Sequence, residues 1–181
     1  MTSSKHEESQ RGFTLLELAL VVSFIAIMVV IAIDRMWTLR SEAEKASVMQ
    51  VVGSLRSALG LQMAKKVVDG GIRAIVELEG ANPMDMLGVK PSRYIGEVTQ
   101  ESEVQIEPGD WYFVTSSRHL IYRLQFPEGF QSEIGDPPRL RLKIQLEYDD
   151  NNKNGRRDAH ERVSGLDIYA VDEFTWPGFA H

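Results

Sequence analysis

From Phe13 to Ile33 the chain is apolar except at Thr14, Glu17 and Ser23, and Glu17 is the only charge in the run. At about 1.5 Å of rise per residue, a helix over this stretch crosses a bilayer core of about 30 Å. An acidic residue inside such a helix costs about 2.5–3.5 kcal/mol at its centre and less near an end, where water or headgroups reach it. A carboxylate kept there points to a partner. After Ile33 the pattern changes. Val48, Val52, Leu55, Leu59 and Met63 recur at helical spacing, while Arg56, Gln62, Lys65 and Lys66 fall mostly off that stripe. This predicts an amphipathic continuation over 34–69, ending at Asp69-Gly70-Gly71, where glycine supplies the left-handed conformation that follows many helices. One helix from Phe13 to Asp69 would be about 85 Å long.

Beyond Gly71 the period shortens to two. Arg139 to Tyr148 alternates strictly, with Leu140, Leu142, Ile144, Leu146 and Tyr148 on one face and polar residues on the other, which predicts an antiparallel strand with one solvated side. Trp111–Thr115, Leu120–Phe126, Leu166–Val171 and Ile72–Leu78 are further strand candidates. Asn82-Pro83-Met84-Asp85 has a cap residue followed by proline at the first helical position, predicting a short helical turn. The expected fold class is α+β: a long N-terminal helix, half transmembrane and half amphipathic, packed by its apolar stripe on an antiparallel sheet. The segments are 1–12, a polar leader; 13–33, the apolar helix; 34–69, its amphipathic continuation; and 70–181, a β-rich domain.

Composition narrows the function. The part after the apolar run, roughly 150 residues, suits one domain rather than two. The net charge is −6, and residues 1–12 contribute nothing to it because Lys5 and Arg11 balance Glu7 and Glu8. Such acidity gives no support to nucleic-acid binding as the main role. The nearest thing to a basic stripe is Arg118, Arg123, Arg139, Arg141 and Lys143, which a solvated sheet face also explains. With no cysteine, disulfides and thiolate catalysis are excluded. His6, His119, His160 and His181 form no HExxH pattern, no GxSxG elbow or phosphate loop appears, and Ser116, Ser117 and His119 lack a partner acid. The expectation is a protein that is not an enzyme and needs no cofactor.

The run RGFTLLELALVVSFIAIMVVIAI resembles the class III signal of type IV pilins and type II secretion pseudopilins: a polar leader, Gly12, Phe13, then Glu17 as the fifth residue from Phe13. The resemblance implies a pilin-like fold and cleavage between Gly12 and Phe13 by a prepilin peptidase, which also N-methylates Phe13. It implies a single-pass subunit in the inner membrane, its C-terminal domain in the periplasm, that joins related subunits through an assembly platform. Charge alone leaves orientation open. Physical reasoning is compatible: a new amino group at Phe13 would lie in low dielectric, and a neighbour's Glu17 would neutralise it. The chain departs from many major pilins in lacking a C-terminal disulfide, and from many pilins in having Asp34 where they carry a helix-breaking proline. A pseudopilin or minor pilin therefore fits better. NPMDMLGVKPSRYIGE and GDWYFVTSSRHLIYRL resemble segments of minor subunits of mannose-sensitive haemagglutinin pili, although Trp111, Tyr112, Tyr122 and Leu124 also make sense as sheet core.

Asp150 to Glu161 matches the calcium-loop pattern D-x-[DN]-x-[DN]-G-x5-E. Side-chain oxygens of Asp150, Asn152 and Asn154, the Arg156 carbonyl, Asp158 through water and a bidentate Glu161 would supply Ca²⁺, with Gly155 at the bend. Calcium in a C-terminal loop is a feature of major pseudopilins. Against it, extended segments flank the loop where an EF-hand has helices, and Asn154-Gly155 equally serves a polar hairpin. Three functional classes remain: a pilus or pseudopilus subunit, a single-pass anchored periplasmic enzyme or binding protein, and a DNA-binding minor pilin.

Overall fold

The computed structural model describes residues 14–101, 105–149 and 162–179. Helix α1 runs over Leu15–Gly70, and the chain divides into two units, Met1–Arg40 and Ser41–His181. In the first unit, Leu15–Ile33 is long and apolar enough to span a membrane, with none of its span buried inside the molecule. Its backbone is satisfied within the helix, as a hydrocarbon surrounding demands. Even the Ser23 hydroxyl turns back on the chain, donating to the Ala19 carbonyl at 2.8 Å.

In the second unit the predicted stripe is buried. Val48, Val52, Leu55 and Leu59 are almost wholly excluded from solvent and Met63 is half-buried against the same core. They pack on a five-stranded sheet of order β1-β2-β3-β5-β6, built from β1 (Tyr94–Val98), β2 (Trp111–Val114), β3 (His119–Arg123), β5 (Arg139–Tyr148) and β6 (Val163–Ala170). A separate two-stranded ribbon pairs β4 (Gln131–Ser132) with β7 (Phe174–Thr175). The architecture is α+β, consistent with a pilin-like fold. Alternation in β5 sends Leu140, Leu142, Ile144 and Leu146 to the helix side, all buried.

Three expectations are corrected, and one strand was not foreseen. The sheet is mixed: β1 runs parallel to β2, while β2, β3, β5 and β6 pair antiparallel. The pattern of β1 is broken by Gly96 at φ 105° and by an irregular register between Tyr94 and Glu97, so no alternation marked it. Ile72–Leu78 is a 3-10 helix, not a strand. Gly71, at φ 74°, turns the chain, Ala74 N–H bonds back to the Gly71 carbonyl, and Ile75 enters the core. The outer face of the sheet is not simply solvated. Val98, Tyr112, Val114 and Ile121 form a second small core there with Ile106 against it, and every residue of β2 is buried.

Strand ends move by a few residues from prediction, β3 ending at Arg123 and β6 starting at Val163. The Asn82-Pro83 turn is as expected, a 3-10 helix over Pro83–Met86. Asn82 Oδ1 accepts from Met84 N–H at 3.0 Å, while its Nδ2 donates to the Tyr94 hydroxyl and Glu97 Oε1 at 2.8 and 2.9 Å. Phe130 and the C-terminal aromatics Phe174, Trp176 and Phe179 pack together at centroid distances of 5.4–5.8 Å, two contacts stacked and two edge-on.

Leu55, fully buried in the middle of the stripe, is the position where truncation leaves a void. Leu55→Ala is expected to lower unfolding free energy by about 2–5 kcal/mol, whereas exposed Val68→Ala should change it by less than about 0.5 kcal/mol. Urea unfolding of the full chain in detergent reads both.

Candidate functional site

At the start of α1, Thr14 caps the helix. Its hydroxyl accepts from Glu17 N–H at 3.2 Å, and its carbonyl accepts from Leu18 N–H. Thr14-x-x-Glu17 is the capping-box spacing, so Glu17 stands where a carboxylate is also favoured by the helix dipole. The Glu17 side chain is exposed and meets no cation among the described residues. Gly12 and Phe13 lie outside the described residues. The chemistry offered is a carboxylate at one end of an exposed apolar helix, available to a cation from outside the molecule.

A second carboxylate has the opposite character. Glu44 is buried, with Oε1 accepting from the Tyr122 hydroxyl at 2.7 Å and Gln125 N–H at 2.6 Å, and Oε2 accepting from Phe126 N–H at 2.7 Å. Those two amides follow β3, where the chain leaves the sheet and its ladder partners end. A carboxylate across successive backbone N–H groups is a well-matched anion site. One turn away the Ser41 hydroxyl reaches the carbonyls of Phe126 and Glu128, at 3.2 and 3.0 Å. Lys45 donates to the Pro177 carbonyl at 2.5 Å and pairs with Glu42 at 2.7 Å. Sequence reasoning passed over these residues, though Ser41 and Glu44 continue the spacing of Val48 and Val52. A polar pair in phase with an apolar stripe was the available signal.

The basic residues of the outer sheet face are largely committed within the chain. Arg139 pairs with Glu101 at 2.7 Å, Arg141 forks onto both oxygens of Asp172, and Arg123 donates to the Ile106 carbonyl. His119 is pulled below its ordinary value by burial and then by Arg141 and Lys143. Ser116 and Ser117 sit in the turn between β2 and β3.

A cleft of about 910 Å³ opens between α1, the edge strand β6 and the β4–β7 ribbon. Val52, Leu142 and Ile168 contribute its apolar lining, with Arg56 and Asp167 among the polar residues around it. Arg56 donates to the Ile168 carbonyl at 3.3 Å and approaches Asp167 at 3.5 Å, while Asp167 accepts from Ile168 N–H at 2.7 Å. Both polar groups of Ile168 on the free edge are thus covered by side chains.

The calcium-pattern residues Asp150, Asn152, Asn154, Arg156, Asp158 and Glu161 lie outside the described residues. On either side, β5 and β6 pair as far as Tyr148 and Val163, and Asp149 N–H donates to the Arg162 carbonyl at 3.0 Å. Strands, not helices, flank the segment. Among the described residues no group of acidic, histidine or cysteine side chains is arranged to hold a metal. No protein-family model, curated protein or solved structure matches the chain.

Glu44→Gln keeps the shape but sets an amide NH₂ near backbone donors that need an acceptor. Loss of roughly 3 kcal/mol is expected, read as a lower urea midpoint with an unchanged slope. The phenols give a pH test. Burial, then the hydrogen bond and charge of Glu44, push Tyr122 well above its ordinary value of 10, and burial takes Tyr112 up to about 12. The folded chain therefore retains protons that the unfolded chain releases. Their stabilisation is intact below the ordinary value near 10 and is lost as pH climbs above it toward the raised folded values. Tyr122→Phe should flatten that alkaline decline in a series of thermal melts.

Proposed function

We propose that the chain is a pilin-like structural subunit, a pseudopilin or minor pilin. In this reading a prepilin peptidase cuts between Gly12 and Phe13 and methylates Phe13. The apolar helix then holds the subunit in the inner membrane, with its C-terminal domain in the periplasm, until an assembly platform adds it to a type IV pilus or a type II secretion pseudopilus. The observation that carries this is the motif Gly12-Phe13-Thr14-Leu15-Leu16-Glu17 set at the head of an apolar helix with no buried side.

Such a helix is stable in two surroundings, lipid tails and other apolar helices, so one surface serves both the waiting and the assembled subunit. Glu17 directs the second: in low dielectric its carboxylate draws the amino group of a neighbouring Phe13, and an unpaired charge of either kind is costly there. The α+β domain supports the same reading, since a stripe of α1 is its core. The oxygen-rich pattern Asp150–Glu161 enters this proposal as a calcium loop on the β5–β6 hairpin.

The test is mass spectrometry of the N-terminus after expression with and without an active prepilin peptidase. The expected product begins at N-methylated Phe13 only when the peptidase is active. An intact Met1, or a cut elsewhere, would overturn the proposal in favour of an anchored periplasmic enzyme or binding protein. In cells where wild-type subunits assemble, Glu17→Ala should be cut normally yet enter filaments at least about tenfold less, a loss worth about 1.4 kcal/mol.

A further inference from the structure

The β3–β5 pairing joins the two parts of the five-stranded sheet: β1 and β2 continue from β3, and β6 from β5. Its printed register covers Leu120–Arg123 against Arg139–Leu142, so the joint is short. One step further, the register that sets Leu120 opposite Leu142 brings His119 opposite Lys143. Leu120 and Leu142 belong to the core under α1, so alternation turns His119 and Lys143 to the outer face, beside Arg141. All three residues are half-buried.

The charged groups that face His119 are Arg141 and Lys143 from β5 and Asp172 from the turn after β6. β2 places apolar Val114 beside it, and Arg118, on the preceding turn, lays its side chain over Gly80 instead. The carboxylate of Asp172 already has its fork filled, because Arg141 donates to both of its oxygens. A neutral ring at His119 faces Lys143 without repulsion. An imidazolium there would face it as a like charge, which is destabilising across a strand pair and is screened less where water is partly excluded. Burial, then Arg141 and Lys143, accordingly hold the imidazole below its ordinary 6.5, with Asp172, the smallest influence, acting the other way.

We propose that His119 makes the β3–β5 joint sensitive to acid: protonation sets an imidazolium against Lys143 and Arg141 and loosens the hold between the two parts of the sheet. The folded chain resists a proton that the unfolded chain accepts. The stabilisation is therefore complete above 6.5 and is lost as pH falls from there through the lower folded value.

Thermal melts of the full chain in a non-ionic detergent, from about pH 7.5 to about pH 5, read the effect. Over that range the wild-type midpoint is expected to fall by roughly 2 °C more than that of His119→Gln, whose amide cannot take the proton. His6, His160 and His181 are common to both chains, so their titration cancels from the comparison. His119→Lys, with a permanent cation at the same place, should melt below wild type at the alkaline end of the range and lose the extra slope. Lys143→Gln should move the His119 titration, followed by NMR at the ring Cε1 proton, up toward the ordinary value. If His119→Gln does not fold, the titration of His119 in the wild type, assigned through its backbone, decides alone. Equal pH slopes in wild type and His119→Gln, or titration of His119 at or above 6.5, would overturn the proposal.

Discussion

A charge taken out of water must be met by enough donors to replace its hydration, and Glu44 meets that condition with a phenol and two consecutive backbone amides. Neither partner would be comfortable alone. The carboxylate would be a buried, unpaired charge, and the amides of Gln125 and Phe126 would be orphaned where β3 releases the chain. Because the contact is short and directional, it specifies one angular setting of α1 over the sheet, whereas the apolar contacts of Val48, Val52, Leu55 and Leu59 tolerate sliding. Ser41 and Lys45 extend the same logic to carbonyls further along the chain. Adhesion in this unit is apolar, and its register is polar.

The two units present different surfaces to solvent. Over Leu15–Ile33 the sequence keeps nearly every side chain apolar and leaves all of them outward, which in water would be a serious fault and in hydrocarbon is neutral. Past Ser41 the same secondary structure becomes one-sided, with a single stripe inward. A helix needs a partner only along the faces its surroundings reject, and the change of pattern within α1 separates a part apolar enough to span a membrane from a part with one buried stripe.

Much of this could be read from the residues, because the features concerned depend on local period. The stripe from Val48 to Met63 and the alternation of Arg139–Tyr148 each repeat often enough to declare themselves, and Asn82-Pro83 carries its own capping chemistry. What escaped depends on distant pairing. Ile72–Leu78 has strand-like composition, but no strand edge waits for it and Gly71 turns it into local hydrogen bonds. β1 is parallel, interrupted by Gly96, and recognisable only once β2 lies beside it. The Glu44 contact joins residues about eighty positions apart, which no window along the chain contains. The N-terminal motif is a separate matter: Gly12, Phe13 and Glu17 were legible as a pattern, and the structure adds the Thr14 cap at the start of the helix that carries Glu17.

β6 ends the five-stranded sheet, and an unpaired strand edge is a template for any other extended chain. At Ile168 that template is blocked on both its donor and its acceptor by Asp167 and Arg56. A helix as apolar as Leu15–Ile33 is long enough to span a membrane, and copies of a chain held in one would be concentrated in two dimensions and in a common orientation, conditions under which edges find one another easily. The Arg56–Asp167 plug makes such a meeting unproductive, since an incoming strand must first displace an ion pair and its hydrogen bonds before gaining any of its own. An exposed apolar helix is thus combined with a sheet edge guarded at Ile168, so that the surface most open to apolar contact is separate from the one most open to amyloid-like strand addition.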